Sequence, residues 1–104
     1  MIRHIVLFKL LDGLRPDDPL VVTTFDRLAA LSDTIPEIRS WRVGPNVKAG
    51  ARAYDFALVG DYDDLEALAG YVDHPDHQAL LPALDQVSTR VTVDLEIPTP
   101  ADTQ

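Results

Sequence analysis

The segment Arg3–Leu11 limits the possible folds more than any other part of the chain. Its Ile, Val, Leu and Phe residues read as a β-strand. Successive side chains of a strand point to opposite faces. His4, Val6, Phe8 and Leu10 therefore share one face, and Ile5, Leu7 and Leu11 the other. Both sets are rich in apolar residues, and a strand that is apolar on both faces must be covered on both faces.

The rest of the chain supplies cover for one face. Asp12-Gly13 is a turn signal, and Arg15-Pro16-Asp17-Asp18 reads as the entry to a helix running to about Asp33, with acidic residues favoured in the first turn. Val21, Phe25, Leu28 and Ser32 are spaced along one side of it, and Pro36 ends it. Ile38–Val47 predicts a second strand, Lys48–Arg52 a loop, and Tyr54–Asp61 a third strand in which Phe56, Leu58 and Gly60 alternate with Ala57 and Val59. Asp63 and Asp64 open a short helix to about Val72. His74-Pro75 breaks the chain there, with His74 as cap and Pro75 at the first position of a new helix. Leu80, Leu84 and Val87 form that helix's apolar side, and Pro82 predicts a kink or two short pieces. Val91–Ile97 predicts the last strand, and Pro98–Gln104 is a polar tail.

The order β-α-β-β-α-α-β predicts an α+β domain over residues 1–97, with a tail at 98–104. Its expected form is a ferredoxin-like, four-stranded antiparallel sheet with helices on one face. The other face would leave Ile5 and Leu7 beside Ala57 and Val59. An open apolar face of roughly several hundred Å² exceeds what monomers usually expose. Two such faces packed across a two-fold axis would cover each other, so a homodimer is expected.

Charge narrows the partners. Seventeen acidic residues against nine basic ones give a net charge of -8, which repels phosphate backbones and anionic lipid. Neither nucleic acid nor membrane is expected as a partner. The chain contains no cysteine, which fits a reducing, cytoplasmic setting and rules out thiolate metal sites. Lys9 and Asp12 interrupt the first apolar run too early for a secretory signal. No Gly-rich phosphate loop or Ser nucleophile motif is present, and no cofactor is expected.

Tyr71 and His77 form the most suggestive constellation. Within one continuous helix, six residues would set them about 240° apart. The break at His74-Pro75 lifts that restriction and lets both side chains turn inward. His77 then falls at the third position of the new helix, where the positive end of the dipole disfavours imidazolium. One reading makes His77 a base that removes an acidic proton beside a carbonyl whose oxygen is held by Tyr71. The other makes the two residues a structural lock at the helix junction. His74 and His77 with Asp73 and Asp76 are too few donors at telling spacing for a zinc site, so no metal is expected. Asp61, Asp63 and Asp64 read as a solvated turn and helix start. Trp41 and Arg42 read as residues that meet a partner subunit or cover a sheet edge.

Four segments together, Met1–Lys9, Ile35–Gly44, Tyr54–Leu58 and Tyr71–His77, resemble the stress-responsive α/β-barrel domain family over residues 1 to 97. The Tyr-x-x-His-Pro-x-His run is the most specific of them. The resemblance implies a dimeric α+β barrel. A plant polyketide cyclase of the family uses a tyrosine and a histidine as its catalytic pair, in a pocket between sheet and helices. These carry onto Tyr71 and His77, and a first-strand histidine onto His4. The pocket walls carry onto Val6, Phe8, Thr24, Phe25, Leu28, Leu58 and Leu80. Thr24 and Ser88 stand where the cyclase has phenylalanine and tryptophan. The implied function is cofactor-independent, aldol-type ring closure of a polyketide-like substrate, with a small hydrophobic, phenolic or carbonyl ligand. The alternative is a non-catalytic stress-associated dimer or ligand-binding module. The two differ in whether Tyr71 and His77 both reach an open pocket.

Overall fold

In the computed structural model, which describes residues 1–100, the elements are β1 (Ile2–Leu10), α1 (Pro19–Ala29), a 3-10 turn (Ala30–Asp33), β2 (Ser40–Pro45), β3 (Phe56–Tyr62), α2 (Leu65–Asp73), α3 (Pro75–Val87) and β4 (Ser88–Glu96). The strands form one sheet in the order β2-β3-β1-β4, and each neighbouring pair is antiparallel. The expected ferredoxin-like α+β architecture is what the chain adopts. Residues 101–104 of the expected tail lie outside the described residues.

Local chemistry accounts for the element ends. α1 starts at Pro19, later than the Pro16 entry, because a proline at the first helical position gives up an amide that has no helical acceptor anyway. The Asp18 carboxylate turns back to accept from the Arg15 amide at 2.8 Å. Beyond Ala29 the last turn tightens into the 3-10 segment. That rotation buries Leu31 and leaves Ser32, expected on the inner side, exposed. Asp64 caps α2 by accepting from the Ala67 amide, as His74 caps α3 from Asp76. Pro82 does not divide α3, which runs unbroken from Pro75 to Val87. The missing donor costs one helical hydrogen bond, while burial of Leu80, Leu84 and Val87 on both sides of it holds the helix against the core.

The helices lie on one face of the sheet. Val6, Phe8 and Leu58 from the strands meet Val21, Phe25, Leu28, Leu80 and Leu84 in a single core. Phe25 stacks on Phe56 with centroids 3.9 Å apart and meets Phe8 edge-on at 5.1 Å. Trp41, read from the sequence as a partner or edge residue, instead turns inward. Its Nε1 donates to the Leu28 carbonyl at 3.2 Å, and its ring lies so close over Gly60 that a Cβ there would stand 2.9 Å from Cε3. A side chain at position 60 would occupy space the indole already fills.

The opposite face is apolar and uncovered in the single chain. The register sets Leu7 beside Ala57 and Val91, and Ile5 beside Val59 and Val93. Leu7 is 39%, Val91 50%, Val93 49% and Leu95 45% exposed. At one end of this face Asp61 is buried, not solvated as its neighbours suggested. Its carboxylate accepts from Arg3 at 2.8 and 3.0 Å and from Ser40 at 2.7 Å. Asp63 pairs separately with Arg39.

Candidate functional site

A cavity of about 210 Å³ opens between the sheet and α2–α3. β1 contributes His4, Val6 and Phe8 to its wall, β3 contributes Leu58, and α1 contributes Leu28. Tyr71 and Val72 come from α2, and His77, Leu81 and Leu84 from α3. The last part of the wall is Arg90 and Thr92 on β4. Such a volume is below the roughly 300–1,000 Å³ of drug-sized sites, so a single ring or a short chain is what fits.

The helix break orients His77. In a continuous helix the Val72 carbonyl would accept from the Asp76 amide. Pro75 interrupts the helix, and that amide donates instead to His74 Nδ1 at 3.1 Å. The orphaned Val72 oxygen is taken by His77 Nδ1 at 2.8 Å and by Gln78 Nε2 at 2.6 Å. A carbonyl can only accept, so His77 Nδ1 carries the proton and a neutral ring keeps its lone pair on Nε2. Burial pushes the His77 imidazole below its ordinary range, the bond to Val72 opposes that, and the charges of Arg90, His4 and His74 add to the lowering. Burial is the largest cause, where the sequence pointed to the helix dipole.

Tyr71 is 2% exposed and sits at the centre of an aromatic cluster. Its ring centroid is 4.5 Å from that of His77, 5.2 Å from Tyr62, 5.6 Å from Trp41 and 6.0 Å from His4. Burial pushes its phenol up, with Arg90 acting in the opposite direction, so the hydroxyl stays protonated and able to donate. His4 is fixed from behind: its Nδ1 meets Asp94 Oδ1 at 2.5 Å, its cross-strand partner in the register. The arrangement sets a neutral imidazole and a protonated phenol side by side against an apolar wall.

Of the residues expected at the pocket, the cavity gathers His4, Val6, Phe8, Leu28, Leu58, Tyr71 and His77. Three others do not reach it. Thr24 is buried, with its hydroxyl donating to the Leu20 carbonyl at 2.8 Å. Phe25 is occupied between Phe8 and Phe56, and Leu80 faces a separate recess with Arg27 and Ala30. α1 presents only its Leu28 edge to the cavity, and α3 its Leu81–Leu84 edge. Arg90 and Thr92 carry no inward signal in the sequence, because alternation along β4 groups them opposite the apolar set Val91, Val93 and Leu95; pairing with β1 sets them beside Phe8 and Val6. Among the described residues no three His, Cys, Asp or Glu side chains converge as a metal would require, and no helix is long and apolar enough to cross a membrane.

A family model described as the Stress responsive A/B Barrel Domain matches residues 2–97. An uncharacterised protein of Streptomyces coelicolor is 41% identical over 96 residues, which cover 92% of this chain and 99% of that protein. Among solved structures, a dimeric ferredoxin-like protein of unknown function from Thermobifida fusca is 36% identical, with a TM-score of 0.80 over 92% of this chain and 90% of that one. A second dimeric protein of unknown function and ferredoxin-like fold, from Bacteroides fragilis, is 31% identical, with a TM-score of 0.77 over 92% and 95%.

Proposed function

The chain belongs to the stress-responsive A/B barrel domain family, and from that premise we propose that it is a homodimer whose cavity closes rings in short poly-β-carbonyl compounds. The uncovered apolar rows of β1 and β4 support the dimer, as does the dimeric state of the relatives from Thermobifida fusca and Bacteroides fragilis. The observation that carries the chemistry is the Tyr71–His77 pair, with rings 4.5 Å apart on the cavity wall.

The step moves one proton and forms one carbon–carbon bond. His77 Nε2 takes a proton from a carbon flanked by two carbonyls, whose hydrogens are acidic. The Tyr71 hydroxyl donates to the carbonyl oxygen on which negative charge develops. The enolate carbon attacks a second carbonyl of the same molecule, and the resulting alkoxide recovers the proton from His77. No electron is gained or lost in this sequence. A cavity of about 210 Å³ has room for a compact triketone rather than a long-tailed substrate.

Nonane-2,4,8-trione is a suitable probe: its C3 lies between two carbonyls and closes a six-membered ring on C8, a cyclisation followed by ultraviolet absorbance. The protein should accelerate closure, and removal of the base in His77→Ala should lower the rate about a hundredfold or more. Binding of the triketone with no acceleration would instead make this a ligand-binding module. Absence of both would refute the pocket.

A further inference from the structure

β4 arranges its side chains against the usual order. Its outward row, Val91, Val93 and Leu95, is apolar, whereas Ser88, Arg90, Thr92 and Asp94 point toward the helices. β4 is an edge strand on which Ser88 is buried, Arg90 half-buried and Thr92 and Asp94 exposed, so solvent accounts for part of this polar row and the partners of each member decide the rest. Two of its members have structural partners: Ser88 donates to the Leu84 carbonyl at 2.9 Å, and Asp94 meets His4. Arg90 and Thr92 are the two that line the cavity.

Arg90 stands opposite Phe8 in the register and sends Nη1 to Asp85 at 2.7 Å. Its side chain is 28% exposed against 65% for Asp85, so the guanidinium lies on the cavity side of the pair. An ion pair with so exposed a carboxylate contributes little. Guanidinium carries five N–H donors in a fork that matches a carboxylate, and among the described residues only one of them is engaged. The overall negative charge of the chain does not oppose an anion here. Screening over a Debye length of about 10 Å mutes distant charges, whereas Arg90 would touch the ligand.

We infer that the ligand of this cavity carries a carboxylate, gripped by Arg90 beside Thr92, while its carbonyl or phenolic end meets Tyr71 and His77. The inference rests on the pocket reading above and names its substrate class. It also separates the two roles Arg90 could have. If Arg90 serves only to pair with Asp85, then removing either partner has the same effect. If it grips the ligand, Asp85 competes with that ligand, and the two substitutions act in opposite directions.

The test is calorimetric or NMR-detected binding to the full chain, using acid and amide of equal size: 4-hydroxybenzoate against 4-hydroxybenzamide, and benzoylacetate against benzoylacetamide. The wild type should prefer each acid. Arg90→Leu should weaken the acids roughly tenfold to a hundredfold, the range of a charge-assisted hydrogen bond, and weaken the amides several-fold less, so that the preference for the acid is lost. Arg90→Lys should retain part of the preference, and Asp85→Asn should tighten the acids. Amide NMR spectra of the variants check that the fold is intact. Equal binding of acids and amides, or parallel effects of Arg90→Leu and Asp85→Asn, would overturn the carboxylate while leaving the pocket standing. Failure of all four compounds to bind would overturn both.

Discussion

His77 donates its Nδ1 proton to the Val72 carbonyl, 2.8 Å away across the junction between α2 and α3. The acceptor is available because Pro75 interrupts the helix that would otherwise have used it. Helix break, tautomer and orientation of the imidazole thus have one origin. Gln78 supports the same oxygen at 2.6 Å, so the carbonyl stays satisfied whatever the charge state of His77.

In solution His77 should titrate below the ordinary 6.5. The folded chain then binds fewer protons at this site than the unfolded chain just below that value. The neutral ring contributes stability in full above 6.5, and that contribution is lost as the pH falls through the folded value. Nitrogen-15 NMR should find the proton on Nδ1 in the neutral form. A His77 resonance titrating above 6.5, or a neutral ring protonated on Nε2, would contradict the geometry.

Tyr71→Phe and His77→Ala separate a ligand site from a structural lock. No protein group among the described residues bonds the Tyr71 hydroxyl, so its loss strands no partner. Tyr71→Phe should stay within about 0.5 kcal/mol of the wild type. His77→Ala leaves Gln78 on the Val72 oxygen and should cost about 1 kcal/mol. Thermal melts check this, and a fall of several degrees for both variants would favour the lock.

The apolar sheet face should bury itself in a second copy. Light scattering at micromolar concentration should return twice the 11.5 kDa of one chain. Leu7→Lys and Val93→Lys place charges on that face and should shift the protein toward monomer. Glu66→Lys, on an exposed helical position, should not. A wild type that sedimented as a monomer would remove the reason for the exposed valines.

Gly60 should resist a side chain. A Cβ would meet Trp41 Cε3 at 2.9 Å and the Tyr62 hydroxyl at 3.1 Å. The indole is anchored through Leu28 and packs on Tyr71 at 5.6 Å. Gly60→Ala should therefore cost about 1–3 kcal/mol by overpacking and disturb the Tyr71 ring resonances. An alanine variant melting with the wild type would mean that the indole can move freely.

The Arg3–Asp61–Ser40 cluster predicts an acid limb. The hydrogen bond from Arg3 holds the Asp61 carboxyl below its usual 3.8; burial opposes this, and Ser40 and the charge of Arg3 assist. A lowered folded value contributes stability above the unfolded one and loses it as the pH falls through the folded one. Arg3→Gln should accordingly melt below the wild type at pH 7, with the gap closing below 3.8. A gap constant with pH would mean that Arg3 acts through packing alone.

Much of this architecture is legible in local pattern. The alternation of Val6 and Phe8 with Ile5 and Leu7 sets two apolar faces on one strand, and that alone calls for cover on both sides. His74-Pro75 must end a helix and begin another, because the steric conflict at the residue before proline is local. The placement of Tyr71 and His77 on either side of that break follows directly. These features need only a residue's near neighbours in the chain, so the sequence determined them.

Tertiary structure decided which faces meet. Thr24 and Phe25 share the inward side of α1 with Leu28, yet only Leu28 reaches the cavity, because the packing of the helix on the sheet chooses which edge borders the gap. Asp61 reads as a surface acid until the register sets it beside Arg3 and Ser40. Arg90 becomes a cavity residue only when pairing with β1 turns it inward opposite Phe8. Periodicity assigns a residue to a face of its own element. What that face touches depends on contacts between segments distant in sequence, and the chain alone does not encode that relation in any local signal.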